Sequence, residues 1–200
     1  AFKKTFYSLS DEEKDFLDLF LERHGIASEE QVVAIAPGGG ESSKRRMFTK
    51  RWPVQNYIEL IQRLQRERSS RVILVGGSGD REVTNSVIQV CPNCIDATDL
   101  SFGEMASIFR RCNLFLGNDS APLHIAASMG INCIGIFGPT DPQQWAPLNQ
   151  NSSFVVKPVE CHPCLIDERF PKCSHIRCLT SITVGDVWQQ LESTKPYVKK

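Results

Sequence analysis

The sequence holds no apolar run approaching the roughly 18 residues that a membrane-spanning helix requires, and residues 1–25 show none of the compact apolar core of a secretory signal. It has no excess of charge either. Lys and Arg number 23 and Asp and Glu also 23, so no overall field draws the chain to nucleic acid or to an anionic membrane. Two familiar nucleotide fingerprints are missing. A dinucleotide G-x-G-x-x-G begun at Gly77 requires glycine at position 82, where Glu82 stands. No glycine-rich loop ends in the Lys-Ser/Thr pair of a P-loop, so hydride transfer and P-loop nucleotide hydrolysis are poorly supported. Internal repeats and low-complexity tracts are also lacking.

What is present fits one large domain. The 200 residues are 41% hydrophobic and 23% charged, a globular composition with enough length for a real core. The eight cysteines do not resemble a small secreted disulfide scaffold. Four of them (Cys91, Cys94, Cys112, Cys133) stand in or beside apolar segments and read as buried thiols. A reducing cytosol is the simplest setting.

Apolar runs and amphipathic stretches alternate along the chain. Strands are expected at 32–36, 72–75, 94–97, 114–116, 133–137 and 154–156. Capping boxes Ser10-Asp-Glu-Glu13 and Ser101-Phe-Gly-Glu104 open helices, and a third helix follows Trp52-Pro53 with Tyr57, Leu60, Ile61 and Leu64 on one face. Others are expected after Asp80 and from about Thr183 to Ser193. The pattern is that of an α/β fold, a parallel sheet with helices on both faces. The first helix carries Phe16, Leu17, Leu19, Phe20 and Leu21, more apolar surface than one face holds, which points to packing beyond its own sheet.

The chain is organised around Leu114-Phe-Leu-Gly-Asn-Asp-Ser-Ala-Pro-Leu-His-Ile-Ala-Ala-Ser-Met-Gly130. A strand runs into a polar turn, and a helix starts at Ala121-Pro122, where proline loses no hydrogen bond. Such a turn aims free amides and partial positive charge at a ligand. Asp119, Ser120 and His124 flank it, so the expected ligand is an anion bearing hydroxyl groups. The same spacing also describes an ordinary helix capped by Asp119 or Ser120. Upstream, Pro37-Gly38-Gly39-Gly40 permits close backbone approach, and Lys44, Arg45, Arg46, Lys50 and Arg51 follow it. That basic run reads either as phosphate contact or as a solvated loop.

Together these pieces resemble the C-terminal half of a family 9 glycosyltransferase, the bacterial heptosyltransferase family. The matching segments are Ala36-Pro-Gly-Gly-Gly40, Lys50-Arg-Trp-Pro53, Gly76-Gly77 with Asp80 and Glu82, Asn118-Asp-Ser-Ala-Pro-Leu-His-Ile-Ala-Ala127, Gly138-Pro-Thr-Asp-Pro142 and the late cysteines. The resemblance implies the Rossmann-like C-terminal domain of a GT-B enzyme: a linker and interdomain helix over 1–25, and a nucleotide-sugar domain over 26–200 with its Cys-rich segment at 161–178. The N-terminal acceptor domain, with the general base, is absent from this sequence. The implied reaction is inverting, metal-free transfer of heptose or a related sugar from ADP-heptose to lipopolysaccharide core.

By position, Lys50 and Asp119 take the catalytic roles, Lys50 neutralising donor phosphate. The resemblance places Gly38, Gly39, Gly40 and Gly77 in the donor pocket and gives the ribose hydroxyls to Glu82, with Asp80 competing. Leu100, Ser101 and Phe102 edge the adenine, while Asn118, Asp119, Ser120, Ala121 and His124 surround the pyrophosphate and sugar. Implied partners are the nucleotide-sugar and, through the missing domain, the glycan acceptor. A cytoplasmic location against the inner face of the membrane follows for the whole protein, with no nucleic acid partner. The loop between Gly40 and Lys50 is longer and more basic than the family pattern, which leaves donor and acceptor identity open. Other readings of the chain are a metal-stapled Rossmann-like module gripping RNA through Arg45, Arg46 and Lys50, and a sugar-nucleotide epimerase.

Cys161-His-Pro-Cys164 with Cys173 and Cys178 forms C-x2-C-x8-C-x4-C, near His162 and His175. Four thiolates suit structural zinc or iron. Reduced thiols and disulfides are the competing states. In each case the expected role is structural, with no cofactor needed for transfer.

Overall fold

The computed structural model describes residues 6–39, 41–42, 45–46, 48–164, 173 and 175–194. Six parallel strands form one sheet: β1 (Val32–Ala36), β4 (Arg71–Gly76), β5 (Ile95–Thr98), β6 (Leu114–Asn118), β7 (Asn132–Phe137) and β8 (Ser152–Val156). A short antiparallel pair, β2 (Glu41–Ser42) and β3 (Arg45–Arg46), stands apart from it. The helices are α1 (Asp11–Arg23), α2 (Val54–Arg68), α3 (Arg81–Val90), α4 (Phe102–Arg111), α5 (Ala121–Ser128), α6 (Pro142–Trp145), α7 (Arg177–Thr180) and α8 (Val184–Ser193). The sheet order is β5-β4-β1-β6-β7-β8. Strand order reverses between β1 and β6, the two strands whose carboxyl ends bound the crevice where open α/β sheets take ligands.

The central strands are buried on both faces. In β1, Val33 and Ile35 meet the layer that contains α2 and α8, while Val32, Ala34 and Ala36 meet the layer of α4 and α5. Trp52 is 1% exposed and anchors the start of α2: its indole N–H donates to Ile182 O at 2.9 Å, tying α2 to the approach of α8. Burial of side chains of this size contributes roughly 1.5–3 kcal/mol each.

Both expected capping boxes are formed, Ser10 with Glu13 and Ser101 with Glu104. The two helix starts are also joined. A Cβ at Gly103 would lie 1.7 Å from Glu13 Oε1, so a side chain there would displace the Glu13 carboxylate. α1 therefore packs on α4 and buries Phe20, but Leu19 is left exposed. Gly25 (φ +59°) and Gly130 (φ +75°) end α1 and α5 in the left-handed region. β6 runs on through Gly117 and Asn118 instead of turning after Leu116, because both residues keep pairing with β7. Cys91, Cys94, Cys112 and Cys133 are all buried free thiols. Among the described residues, no helix is long and apolar enough to cross a membrane.

Candidate functional site

The carboxyl ends of β1 and β6 are laced together by Asn118. Its Nδ2 donates to Pro37 O at 3.0 Å and Gly38 O at 2.8 Å, and its Oδ1 accepts from Trp52 N at 3.0 Å. The side chain is fully buried and its amide is engaged at both ends. Asn118, expected in the donor contacts, is thus placed as a scaffold residue, with no surface to offer a ligand. By fixing Pro37-Gly38 against the entry to α2, it sets where Lys50 and Asp119 stand.

Lys50 closes a short 3-10 turn (Phe48–Lys50), and its Nζ lies 2.6 Å from Asp119 Oδ2. Both side chains are largely buried, at 15% and 5% exposure. The same Oδ2 accepts from Thr140 Oγ1 at 2.7 Å. Thr140 is fully buried in the loop after β7. Lysine, carboxylate and hydroxyl therefore form one fixed cluster drawn from three separate loops. Ser120 occupies the N-cap of α5 without a side-chain bond to the helix, its hydroxyl turning back to Asn118 O at 3.3 Å. Pro122 has no N–H and Leu123 N donates to Ser120 O at 3.1 Å. In the first turn the Ala121 amide is therefore the one left without a side-chain cap, which suits it to an anion.

His124, one turn into α5, has its imidazole pKa lowered by partial burial and the Lys50 charge, against an opposing pull from Asp119.

Asp80 and Glu82 have different settings. Asp80 is buried, pairs with Arg51 at 2.9 Å, and accepts from Gly77 N at 3.3 Å. It also fills the space a side chain at Gly38 would need, since a Cβ there would sit 2.1 Å from its carboxyl carbon. Asp80 is a wall of the site, with one oxygen on Arg51 and the other on Gly77 N. Glu82 lies exposed at the start of α3. Gly77 has open space beside it, and Gly39 is buried at the end of β1. Leu100, Ser101 and Phe102 follow β5, with Ser101 capping α4 and the 52% exposed Phe102 ring edge-on to Tyr7 at 5.0 Å. Gly40 and Lys44 lie outside the described residues, and the side chains of Arg45 and Arg46 are not described.

The Cys161, Cys164, Cys173 and Cys178 side chains line one small cavity with Thr49 and Pro139. Burial and the neighbouring thiols push Cys164 up to about 11. Four soft sulfurs fit zinc or iron in kind. They do not fit in position: among the described residues no three His, Cys, Asp or Glu side chains are gathered closely enough to hold an ion. All eight cysteines are free thiols, so no disulfide joins them. The segment nonetheless braces the site. Cys164 N donates to Pro139 O at 2.8 Å, and His162 Nε2 lies 3.2 Å from Thr140 O.

Sequence reasoning did not find Thr140 or the Arg51–Asp80 pair as parts of the site. Their only signal was position, Thr140 inside Gly138–Pro142 and Arg51 beside Lys50.

Lipooligosaccharide heptosyltransferase 2 of Campylobacter jejuni is 25% identical over 171 residues, 81% of this chain and 51% of that protein. The chain thus spans about half the length of the curated relatives it matches. Among solved structures, the E. coli ADP-heptose LPS heptosyltransferase II superposes with a TM-score of 0.71 at 21% identity, over 94% of this chain and 53% of that one. The iron-containing dodecameric heptosyltransferase TibC, in complex with ADP-D-beta-D-heptose, gives 0.60 at 18% identity, over 83% and 46%. These likenesses establish the shared fold. The family description "Glycosyltransferase family 9 (heptosyltransferase)" matches residues 3–174, and the chain belongs to that family.

Proposed function

We propose that this chain forms the nucleotide-sugar half of an inverting heptosyltransferase, holding ADP-heptose at the β1–β6 crevice for transfer to a lipopolysaccharide core acceptor. The observation that carries the reading is the Lys50–Asp119–Thr140 cluster set against the uncapped start of α5. In the reaction the acceptor oxygen bonds to the anomeric carbon as the bond from that carbon to the diphosphate oxygen breaks. The electron pair leaves with ADP, and the acceptor proton passes to a base elsewhere in the whole protein. Negative charge grows on the departing diphosphate. A lysine and a helix-start amide fixed in advance stabilise that charge more in the transition state than in the ground state. In this scheme Lys50 and the Ala121 amide meet the phosphates, and His124 lies alongside. Glu82, exposed at the start of α3, takes the ribose side, while the segment 100–102 edges the base. The ADP and heptose assignments are supported by the neighbour TibC, solved in complex with ADP-D-beta-D-heptose. A cytoplasmic location follows from the same reaction, since nucleotide-sugars are made there.

Cys161, Cys164, Cys173 and Cys178 enter the proposal as a structural zinc or iron site, supported by their shared cavity. Loading would draw the sulfurs together, and no step of transfer passes through the metal.

The test is calorimetric and thermal-shift titration with ADP, ADP-heptose, GDP, UDP and CMP. A ligand at 100 times its dissociation constant adds about 2.7 kcal/mol. ADP and ADP-heptose are expected to stabilise the wild type. Lys50→Ala is expected to weaken both by on the order of tenfold to a hundredfold, because the Asp119 carboxylate then faces phosphate without its cation. If no nucleotide stabilises the wild type, the donor reading falls.

A further inference from the structure

The two edges of the sheet are guarded differently. At one edge β5 is four residues long, and its exposed Asp96 accepts from Thr98 N at 2.9 Å, covering an outward amide of its own strand. Asp96 also places a charge there, which discourages pairing with another strand. At the other edge β8 is five residues long and has no such guard, since Ser152-Ser-Phe-Val-Val156 holds neither charge nor proline.

The register fixes which groups of β8 face outward. Cys133 N donates to Asn151 O at 2.9 Å, with Cys133 opposite Ser152. In a parallel ladder each residue turns both backbone groups to one side, and the side alternates along the strand. Asn151, Ser153 and Val155 therefore face β7, while Phe154 and Val156 hold N–H and C=O outward. Among the described residues β8 pairs with β7 alone.

A groove of about 380 Å³ runs beside these groups, between Phe154–Lys157 and the side of α8 that carries Gln189, Gln190 and Ser193. Its charges, Lys157 and Asp186, pair with each other at 2.8 Å. The other flank is the loop entering β8, held to α5 by Asn149 Nδ2, which donates to Ala127 O at 2.8 Å. Leu148 in that loop is 66% exposed. The lack of charge extends well beyond the strand. Between Ser120 and Val156 Asp141 alone carries a formal charge, in a chain that is 23% Lys, Arg, Asp and Glu.

A sheet edge offers a row of backbone donors and acceptors, and another extended strand satisfies them in series. An identical copy supplies one. A two-fold axis normal to the sheet brings two β8 strands together antiparallel, so that Phe154 and Val156 of each exchange hydrogen bonds with those of the other. The same axis sets α8 against α8 and loop against loop. A surface of one sign would repel itself in such a contact, whereas this one has no net charge to oppose. Depletion of charge beside exposed apolar side chains is also the composition of interface centres.

We infer that β8 is a dimerisation edge, joining two copies of this chain into one continuous sheet. It lies along the side of the sheet, away from the carboxyl ends of β1 and β6, so it goes beyond the proposed function and does not depend on it.

The test is sedimentation equilibrium over about 1–100 µM chain, with amide exchange read residue by residue by NMR. A dimer is expected. Leu148→Glu/Gln189→Glu changes two exposed positions, sets like charges across the axis, and should weaken association on the order of a hundredfold with the far-UV circular dichroism unchanged. The Phe154 and Val156 amides should exchange more slowly in wild type than in that dissociated variant. Leu19→Glu, at a 66% exposed position on α1, should leave the dimer intact. A wild type that stays monomeric throughout the range overturns the inference. So does a dimer that survives the double variant, one that Leu19→Glu dissociates, or one in which the two amides gain no protection.

Discussion

Gly38→Ala tests the packing on which the site is built. The new Cβ would lie 2.1 Å from Asp80 Cγ and Oδ1 and 2.4 Å from Oδ2. Asp80 is 6% exposed and cannot yield freely, since Arg51 holds Oδ1 at 2.9 Å and Gly77 N holds Oδ2 at 3.3 Å. Retreat of the backbone instead would strain the bond from Asn118 to Gly38 O. Overpacking costs about 1–3 kcal/mol, and breaking a buried ion pair about 3–5 kcal/mol. The cheaper mixture of the two should destabilise the chain by about 2–4 kcal/mol. For a domain of this size that lowers the melting temperature by roughly 5–15 °C. Urea denaturation of Gly38→Ala, Asp80→Ala and the double variant is the assay. Asp80→Ala alone should cost about 3 kcal/mol by leaving the Arg51 guanidinium unpaired. On that background the extra methyl enters vacated space and should cost under about 1 kcal/mol, a coupling beyond the ~0.5 kcal/mol scatter of independent sites. Additive effects, or a Gly38→Ala variant as stable as wild type, would refute the argument that Asp80 is the wall Gly38 must clear.

Two further predictions concern the site and its brace. Partial desolvation and the Lys50 charge lower the His124 pKa from its ordinary value, against the pull of Asp119, and a bound diphosphate should raise it. Between the free and bound values binding takes up a proton, so ADP affinity should rise as pH falls from 7.5 towards 6 (values on the order of the ordinary imidazole pKa). Calorimetry in buffers of different ionisation enthalpy should show uptake that His124→Asn removes, and equal uptake in the variant would assign the proton to the nucleotide. For the cysteine segment, protein purified without chelator should carry about one zinc or iron per chain, lost in Cys161→Ser/Cys164→Ser. Metal-free protein with all eight thiols titratable after denaturation would leave the segment as reduced thiols.

Elements fixed by local pattern were legible in the sequence. The alternation of apolar runs with amphipathic stretches predicts the six parallel strands, and Ser10-x-x-Glu13 and Ser101-x-x-Glu104 mark helix starts that form as capping boxes. What depended on distant pairing was not legible. Asp80 and Glu82 are two residues apart and chemically alike, yet one is a wall and the other exposed. The difference is made by Arg51 and Gly38, far away in sequence. Asn118 reads as a ligand residue in its motif because a buried tie and a binding contact use the same amide. Thr140 sits in a loop whose composition says only that the chain turns there. Contacts between such loops are set by the sheet order, which brings the ends of β1, β6 and β7 side by side.

That same order resolves an apparent conflict in the site. A carboxylate next to a diphosphate repels it, and Asp119 stands there nearly buried. Its Oδ2, however, is committed to Lys50 and Thr140, so the carboxylate spends its charge holding the lysine in one place. A lysine fixed before the ligand arrives loses little side-chain entropy on binding, whereas a freely moving one loses up to about 2 kcal/mol. It also need not reorganise as charge moves onto the leaving group. The other oxygen, Oδ1, makes no hydrogen bond among the described residues. In the proposed reaction it is the acceptor left over for a sugar hydroxyl. One carboxylate thereby serves both halves of a nucleotide-sugar, orienting a cation for the phosphates and accepting from the ring. An asparagine there would keep the second role and weaken the first. Asp119→Asn should therefore lower affinity for ADP as well as ADP-heptose, while loss confined to ADP-heptose would show that Lys50 needs no such anchor.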